Sequence, residues 1–208
     1  MDEAADKQRL RAAARKCRAD AQAADRDGHA ADQVAARFIA AFSQDVPLGL
    51  GSAQAGPGPD IVVAGYWPLG TEMDVRPLMI RLAAAGARLV LPEVRAAGQP
   101  LAFRRWQPGD PLQPGQYGVM QPMPTAPLAK PAVLLVPLLA FDKDGWRLGY
   151  GAGYYDRTLE DLRAGPGTKP PLAVGIAYAA QEMAEVPHHA GDRKLDGVVT
   201  ELAARRFI

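Results

Sequence analysis

Residues 133–159 constrain the fold of this chain more than any other segment, because they predict a buried strand, a glycine-rich turn and a helix in succession. Residues 133–136 are all apolar, which is typical of a strand covered on both faces. Pro137 ends that run. Glycines then alternate with other residues, and glycine permits positive φ and close approach to a ligand. These glycines are Gly149, Gly151 and Gly153.

The predicted helix after this glycine loop begins at Tyr154 and carries Asp156 in its first turn. Unpaired N–H groups and aligned peptide dipoles at a helix start favour an anion there. Arg147 adds a positive charge with a planar set of donors suited to phosphate. Asp156 offers a hard oxygen ligand for the Mg²⁺ that accompanies a nucleotide. The segment therefore predicts a phosphate site.

Two familiar phosphate motifs do not fit the glycine loop. It lacks the Gly-Lys-Ser/Thr ending of a Walker A loop and the glycine spacing of a dinucleotide fingerprint. A tight strand-to-helix connection, with glycines present only for geometry, is the simpler interpretation. Arg147, two tyrosines and Asp156 within one turn-to-helix segment favour the phosphate site over it.

Chain length and charge narrow the class of protein. At 208 residues the chain suits one α/β domain over 1–208. A net charge of +1 gives no broad reason to expect nucleic acid or an anionic membrane as partner. Cys17 is the single cysteine, which fits a reducing compartment, and the charged N-terminus has no secretory signal. We expect a soluble cytoplasmic protein, monomeric and without an obligate protein partner.

Helical and extended patterns alternate along the chain, which predicts an α/β fold with a mostly parallel open sheet and helices on both faces. Helices are predicted at 6–24, at 30–42, from a cap at Asp74 to about Gly86, and from Tyr154 onward. Strands are predicted at 61–67, 88–91, 101–106 (an edge strand), 133–136, 172–178 and 198–200. The glycine- and proline-rich 49–60 is predicted to be a flexible connection, and 107–131 a long surface loop that helps to cover the site.

Ligands of such sheets bind at the carboxyl ends of the strands, near the switch point in strand order. The turns after Trp67, Val136 and Tyr178 are therefore expected to converge on one crevice.

The sequence LAFDKDGWRLGYGAGYYDR at 139–157 resembles the signature of the 5-formyltetrahydrofolate cyclo-ligase family, also called 5,10-methenyltetrahydrofolate synthetase. The resemblance continues downstream in VPHHAGDRKLDGVVTE and upstream in Tyr66, Pro68, Glu72, Asp74 and Pro77. It covers nearly the whole chain and implies a three-layer α/β/α fold. Three positions depart from the family pattern: Gln121 replaces a frequent Glu, Ala152 a frequent Gly, and Gly191 a residue that is commonly His.

The resemblance also implies roles for individual residues. Arg147 and Asp156 would be catalytic, and Asp156 and Asp192 would bind Mg²⁺. The ATP site would comprise Lys7, Arg11, Arg147, Leu148, Gly149, Tyr150, Gly151, Ala152, Gly153, Tyr154 and Tyr155. The folate pocket would comprise Trp67, Glu72, Tyr150, Gly151, Ala152, Gly153 and Tyr154, with the Trp67 ring on the pterin and Glu72 accepting its N–H donors.

Residue patterns alone leave simpler alternatives open for several of these positions. Lys7 and Arg11, four residues apart, share a helix face that is suited either to a polyphosphate or to solvent. Glu72 suits a helix entry, Trp67 a core position and Asp192 the surface. Arg15 and Arg18 are expected to be solvated. A zinc site at the adjacent His188 and His189 is not favoured.

By resemblance, the reaction is conversion of 5-formyltetrahydrofolate and MgATP to 5,10-methenyltetrahydrofolate, ADP and phosphate. It proceeds through phosphorylation of the formyl oxygen and ring closure by N10, without a covalent enzyme nucleophile. Two alternatives are a catalytically inactive folate- or nucleotide-binding regulatory protein on the same fold, and a different ATP-dependent enzyme of small molecules.

Overall fold

A mixed sheet of seven strands lies at the centre of the described part of the protein. The computed structural model describes residues 3–46, 61–164 and 169–207. The strands of this sheet are β1 (Val62–Ala64), β2 (Arg88–Glu93), β3 (Ala102–Arg105), β6 (Val133–Pro137), β9 (Leu172–Ile176), β10 (Gly197–Val199) and β11 (Ala204–Arg206). Their order across the sheet is β11-β10-β9-β6-β1-β2-β3. Its inner strands are parallel, and both edge strands, β3 and β11, are antiparallel.

Short strands and helices complete the described part of the chain. Strands β4 (Leu112–Pro114) and β5 (Met120–Pro122) form a hairpin, and β7 (Ala140–Phe141) pairs with β8 (Arg147–Leu148). The α-helices are α1 (Glu3–Ala24), α2 (Ala30–Phe42), α3 (Arg76–Ala84) and α4 (Tyr154–Arg163). None of them is long and apolar enough to cross a membrane.

Alternate side chains of β6 enter different layers of the core. Leu135 packs in the cluster that holds Phe38 of α2 and Leu82 of α3, whereas Leu134 packs in the cluster that holds Leu159 of α4. Both leucines are fully buried, as expected for a strand between two helical layers. This arrangement confirms the predicted α/β fold with helices on both faces.

Helix α1 packs through a smaller, separate cluster. Leu10 and Ala14 contact a group that includes Leu139, Leu148 and Val186, next to the β7–β8 pair. The helix is thereby placed beside the glycine loop that follows β8.

Several predicted boundaries were wrong. Helix α3 is capped by Val75, with Pro77 in its first turn, while Asp74 accepts a hydrogen bond from the Arg76 N–H at 2.9 Å. The predicted loop at 107–131 contains the β4–β5 hairpin, and β11 was missed. Strand β2 continues through Pro92 because β3 pairs with it. The connection predicted at 49–60 lies outside the described residues.

Candidate active site

A pocket of about 780 Å³ opens beyond the carboxyl ends of β1 and β6. The strand order reverses between these two strands, since β2 lies on the far side of β1 and β9 on the far side of β6. The pocket therefore lies at the switch point, and the turns after Trp67 and Val136 line it as predicted, whereas the turn after Tyr178 does not. All of the predicted site residues line it: Lys7, Arg11, Trp67, Glu72, Arg147, Leu148, Gly149, Tyr150, Gly151, Ala152, Gly153, Tyr154, Tyr155, Asp156 and Asp192.

The glycine loop between β8 and α4 forms one wall of this pocket. Gly151 and Gly153 have φ angles of 106° and 66°, in the left-handed region that disfavours other residues. Gly153 is also the N-cap of α4, so the loop turns directly into the helix. The prediction that the glycines allow an unusual backbone holds at these two positions, and the start of α4 faces the pocket as the anion hypothesis requires.

Helix α1 lies against this loop. The Arg11 Nε donates a hydrogen bond to the Gly149 carbonyl at 3.1 Å. A Cβ atom at Gly151 would lie 3.3 Å from the Arg11 guanidinium carbon, so the helix and the loop are in close contact. Lys7 lines the pocket one helical turn before Arg11. The basic face of α1 is therefore directed toward the loop.

An ion pair joins β8 to α4 across the base of the glycine loop. The Arg147 Nη2 donates to the Asp156 Oδ1 at 2.6 Å, and the Arg147 side chain is only 5% exposed. The Arg193 N–H donates to the same oxygen at 3.0 Å, while Arg147 also donates to the Arg193 carbonyl. Asp156 thus balances a buried cation, and its Oδ2 accepts no hydrogen bond from the described residues.

Asp192 is held by its own turn. Its Oδ2 accepts a hydrogen bond from the His189 N–H at 2.8 Å, and the Gly191 N–H donates to the His189 Nδ1 at 3.1 Å. Support for Asp192 therefore comes from the backbone and His189, and needs no side chain at position 191. The residues that the structure describes contain no group of three His, Cys, Asp or Glu side chains placed to hold a metal ion.

Glu72 brings a buried carboxylate to the pocket from the turn after β1. The residue is 8% exposed; its Oε2 accepts from the Leu69 N–H at 2.8 Å, and its Oε1 accepts from the Tyr150 hydroxyl. Burial raises the pKa of this carboxyl, although these two donors and the nearby Arg18 act in the opposite direction. A carboxylate that is difficult to solvate favours a ligand with N–H donors.

Trp67 packs in the core, as the simpler prediction states, and also lines the pocket. It packs against the main core with its ring edge-on to Trp106, the ring centroids 5.9 Å apart. It also lines the pocket, and the Arg76 guanidinium lies 5.3 Å from its ring centroid. The ring is thus held firmly while remaining accessible to a planar ligand.

The expectation that Arg18 is solvated was wrong. Arg18 is 5% exposed; its Nε donates to the Thr71 Oγ1 at 3.1 Å and its Nη1 to the Tyr150 hydroxyl oxygen. The basic stripe of α1 faces the pocket wall at this point because the helix packs over the loop. Arg15 is exposed, as expected, with its guanidinium 6.0 Å from the Tyr150 ring centroid.

The sequence prediction missed Tyr117 and Arg157. The turn of the β4–β5 hairpin places the Tyr117 hydroxyl 3.3 Å from that of Tyr154. Arg157 lies 5.3 Å from the Tyr154 ring centroid and donates to the Ala152 carbonyl at 2.6 Å. The proline-rich 107–131 was expected to help cover the site, and its hairpin lines the pocket. The neighbouring Tyr155 packs against the core.

The sheet and its pocket together define an α/β protein whose candidate site lies at the carboxyl ends of the parallel strands. The sequence profile of the 5-formyltetrahydrofolate cyclo-ligase family matches residues 3–201. The chain belongs to this family.

Individual relatives agree with that assignment. The 5-formyltetrahydrofolate cyclo-ligase of Escherichia coli K12 is 35% identical over 144 residues, covering 66% of this chain and 76% of the relative. The 5-formyltetrahydrofolate cyclo-ligase of Mycolicibacterium smegmatis is 40% identical over 110 residues. This match covers 49% of this chain and 56% of the relative. The solved 5,10-methenyltetrahydrofolate synthetase of Aquifex aeolicus superposes with a TM-score of 0.70 at 27% identity, covering 97% of this chain and 92% of that one.

Proposed function

We propose that the protein, acting as one domain over 1–208, converts 5-formyltetrahydrofolate and ATP to 5,10-methenyltetrahydrofolate, ADP and phosphate. The observation that carries this proposal is the shared pocket, which is lined both by the glycine loop and α1 and by Trp67 and Glu72. The loop and α1 are suited to a polyphosphate, and Trp67 and Glu72 are suited to a planar ring with N–H donors. The family to which the chain belongs and the names of its relatives support the same assignment.

The chemistry needs an activated formyl group. A formamide carbonyl is a poor electrophile, and transfer of the γ-phosphoryl group to its oxygen turns that oxygen into a leaving group. The substrate's N10 then attacks the formyl carbon, and phosphate departs with the former formyl oxygen as the N10 proton is lost. The enzyme's task is to align the formyl oxygen with the γ-phosphate.

Individual residues have distinct roles in that alignment. We assign the loop N–H groups, Lys7 and Arg11 to the phosphates, and Trp67 with Glu72 to the pterin. Arg147 balances Asp156 and adds positive charge beneath the loop, where charge develops during transfer.

Asp156 and Asp192 fit a Mg²⁺ ion that is bound together with ATP. Magnesium in nucleotide sites is usually held by one or two carboxylates plus phosphate oxygens, so a cage of three protein ligands is not required. The Oδ2 of Asp156 would hold the ion while its Oδ1 keeps the Arg147 contact. When bound, the ion would neutralise charge on the transferring phosphoryl group.

One assay tests the proposal. Purified protein is mixed with 5-formyltetrahydrofolate and MgATP, and the near-ultraviolet absorbance of the methenyl product is followed. Growth of that absorbance with stoichiometric release of phosphate is expected. Binding of both ligands without product would indicate the inactive regulatory protein instead.

We propose a cytoplasmic location, because a chain with a single cysteine fits a reducing compartment.

Glu72→Gln is expected to weaken folate binding and leave ATP binding nearly unchanged. A buried pterin donor left facing the N–H₂ of the introduced amide costs about 1–3 kcal/mol. Titration calorimetry with each ligand separately measures the two affinities. Glu182→Gln, which alters an exposed carboxylate paired with Arg205, is the matched control. Equal weakening of both ligands would assign Glu72 a folding role.

A further inference from the structure

Three segments of the pocket meet at the Tyr150 hydroxyl. It donates to the Glu72 Oε1 and accepts from the Arg18 Nη1, and Arg18 and Glu72 are 3.8 Å apart at their nearest charged atoms. Arg18 comes from α1, Glu72 from the turn after β1, and Tyr150 from the glycine loop. The three residues are referred to below as the triad; Arg18 and Glu72 are buried, and Tyr150 is partly exposed.

Arg18 is placed to influence a ligand without lining the pocket itself. Arg18 is fixed by Thr71 as well as Tyr150, and its guanidinium lies 5.5 Å from the Tyr150 ring centroid. Arg18 does not line the pocket, whereas Glu72 and Tyr150 do. Its charge therefore acts on a ligand through the other two members.

We propose that Arg18 is a positioning residue that keeps Glu72 ionised and correctly oriented for the pterin, and so sets the pH range in which folate is used. This inference rests on the proposed function.

Among the described residues, Arg18 is the one cation whose charge acts on Glu72. The other ionisable side chains that interact with Glu72 in this part of the chain are Tyr66, Tyr150 and Tyr155, which are neutral at ordinary pH. Burial raises the pKa of Glu72, the hydrogen bonds from the Tyr150 hydroxyl and the Leu69 N–H lower it, and the charge of Arg18 lowers it further. Removal of Arg18 should therefore raise that pKa further.

The direction of the expected shift in the pH profile follows from the role of Glu72. Its carboxylate accepts the pterin N–H donors, so kcat/KM for folate falls as pH decreases through the pKa of Glu72. With Arg18→Met this acidic limb should move upward by at most about one pH unit, the smaller end of the range for losing an opposite charge within 4–6 Å, because the hydrogen bonds from Tyr150 and the Leu69 N–H remain. The KM for ATP at alkaline pH should change much less than twofold.

The experiment measures kcat/KM for 5-formyltetrahydrofolate from pH 5 to 9, with the enzyme-free rate subtracted. Arg18→Met is compared with wild type and with two further variants. Arg18→Lys keeps a positive charge and should restore most of the pH profile. Arg9→Met changes a residue on the same helix whose side chain is 80% exposed, so the pH profile of this variant should match that of wild type. An acidic limb that does not move in Arg18→Met overturns the proposal, even if that variant melts at a lower temperature. If Arg18→Met does not fold, Arg18→Gln serves the same comparison.

A thermal double-mutant cycle tests the triad without turnover. The melting-temperature losses of Arg18→Met and Glu72→Gln should not add in the double variant, because removing Arg18 alone leaves Glu72 buried and uncompensated. Additive losses would overturn the proposed contact. A wild-type protein that makes no methenyl product would instead contradict the proposed function, so the two failures are distinguishable.

Discussion

Asp156→Asn is expected to reduce kcat on the order of a hundredfold while the protein remains folded, which matches the loss of one well-placed electrostatic contact. The amide oxygen of asparagine can still accept the hydrogen bonds of Arg147 and of the Arg193 N–H, so the shape of the loop should persist. What is lost is the negative charge that we assign to Mg²⁺. Steady-state rates measured over a range of Mg²⁺ concentrations, with saturating ATP and folate, provide the readout.

Asp161→Asn is the control for this substitution. Asp161 lies on the same helix but is exposed and does not line the pocket, so its removal should leave the rate and the Mg²⁺ dependence unchanged. Near-normal turnover of Asp156→Asn at limiting Mg²⁺ would refute the metal assignment. A melting temperature far below that of wild type would show that Asp156 acts mainly by balancing the buried Arg147.

The double variant Lys7→Ala/Arg11→Ala should raise the KM for ATP strongly and leave the KM for folate nearly unchanged. Each contact to an ionised phosphate contributes about 1.5–3 kcal/mol, so loss of two contacts predicts an increase of roughly a hundredfold or more. Arg11 also donates to the Gly149 carbonyl, so part of the effect should come from a loosened loop. Initial rates with each substrate varied in turn separate the two KM values.

A matched pair from the same helix controls for the loss of two positive charges. Arg9 and Lys16 are exposed and form ion pairs with Asp6 and Asp20 within α1, so Arg9→Ala/Lys16→Ala should leave ATP use intact. Arg18 is unsuitable for this purpose because it is buried in the triad. An equal rise in the KM for ATP in both double variants would limit the nucleotide site to the segment from Arg147 to Asp156.

Local patterns were sufficient to predict most of the fold. The run at 133–136 predicted a strand with two buried faces, and the apolar spacing at 30–42 predicted α2 with the bounds that the structure shows. The errors fell where pairing between distant segments decides the structure. Strands β4, β5 and β11 are each three residues long. A strand this short shows too little periodicity in the sequence to be recognised without the strand that it pairs with.

The location of the site was predictable, but its contacts were not. Family motifs and strand order placed the residues of the pocket together, and the structure brings them into one cavity. The burial of Arg18 depends on how α1 packs across the glycine loop, and charge spacing along one helix contains no information about that packing. Tyr117 enters the pocket for a similar reason, because the orientation of its hairpin is a tertiary property.

The small apolar cluster that holds α1 should let this helix open more readily than α2. Helices α2 and α3 share the largest core cluster, whereas α1 contributes Leu10 and Ala14 to the small cluster around Leu139 and Leu148 and, among its described side chains, packs only Ala21 against the largest one. Segments with few buried apolar contacts open at lower free energy than the rest of a protein. Amide hydrogen exchange along α1 should therefore be faster than along α2 in the apo protein. A polyphosphate that contacts Lys7, Arg11 and the glycine loop would slow this exchange. The exchange rate along α1 would therefore show whether nucleotide is bound.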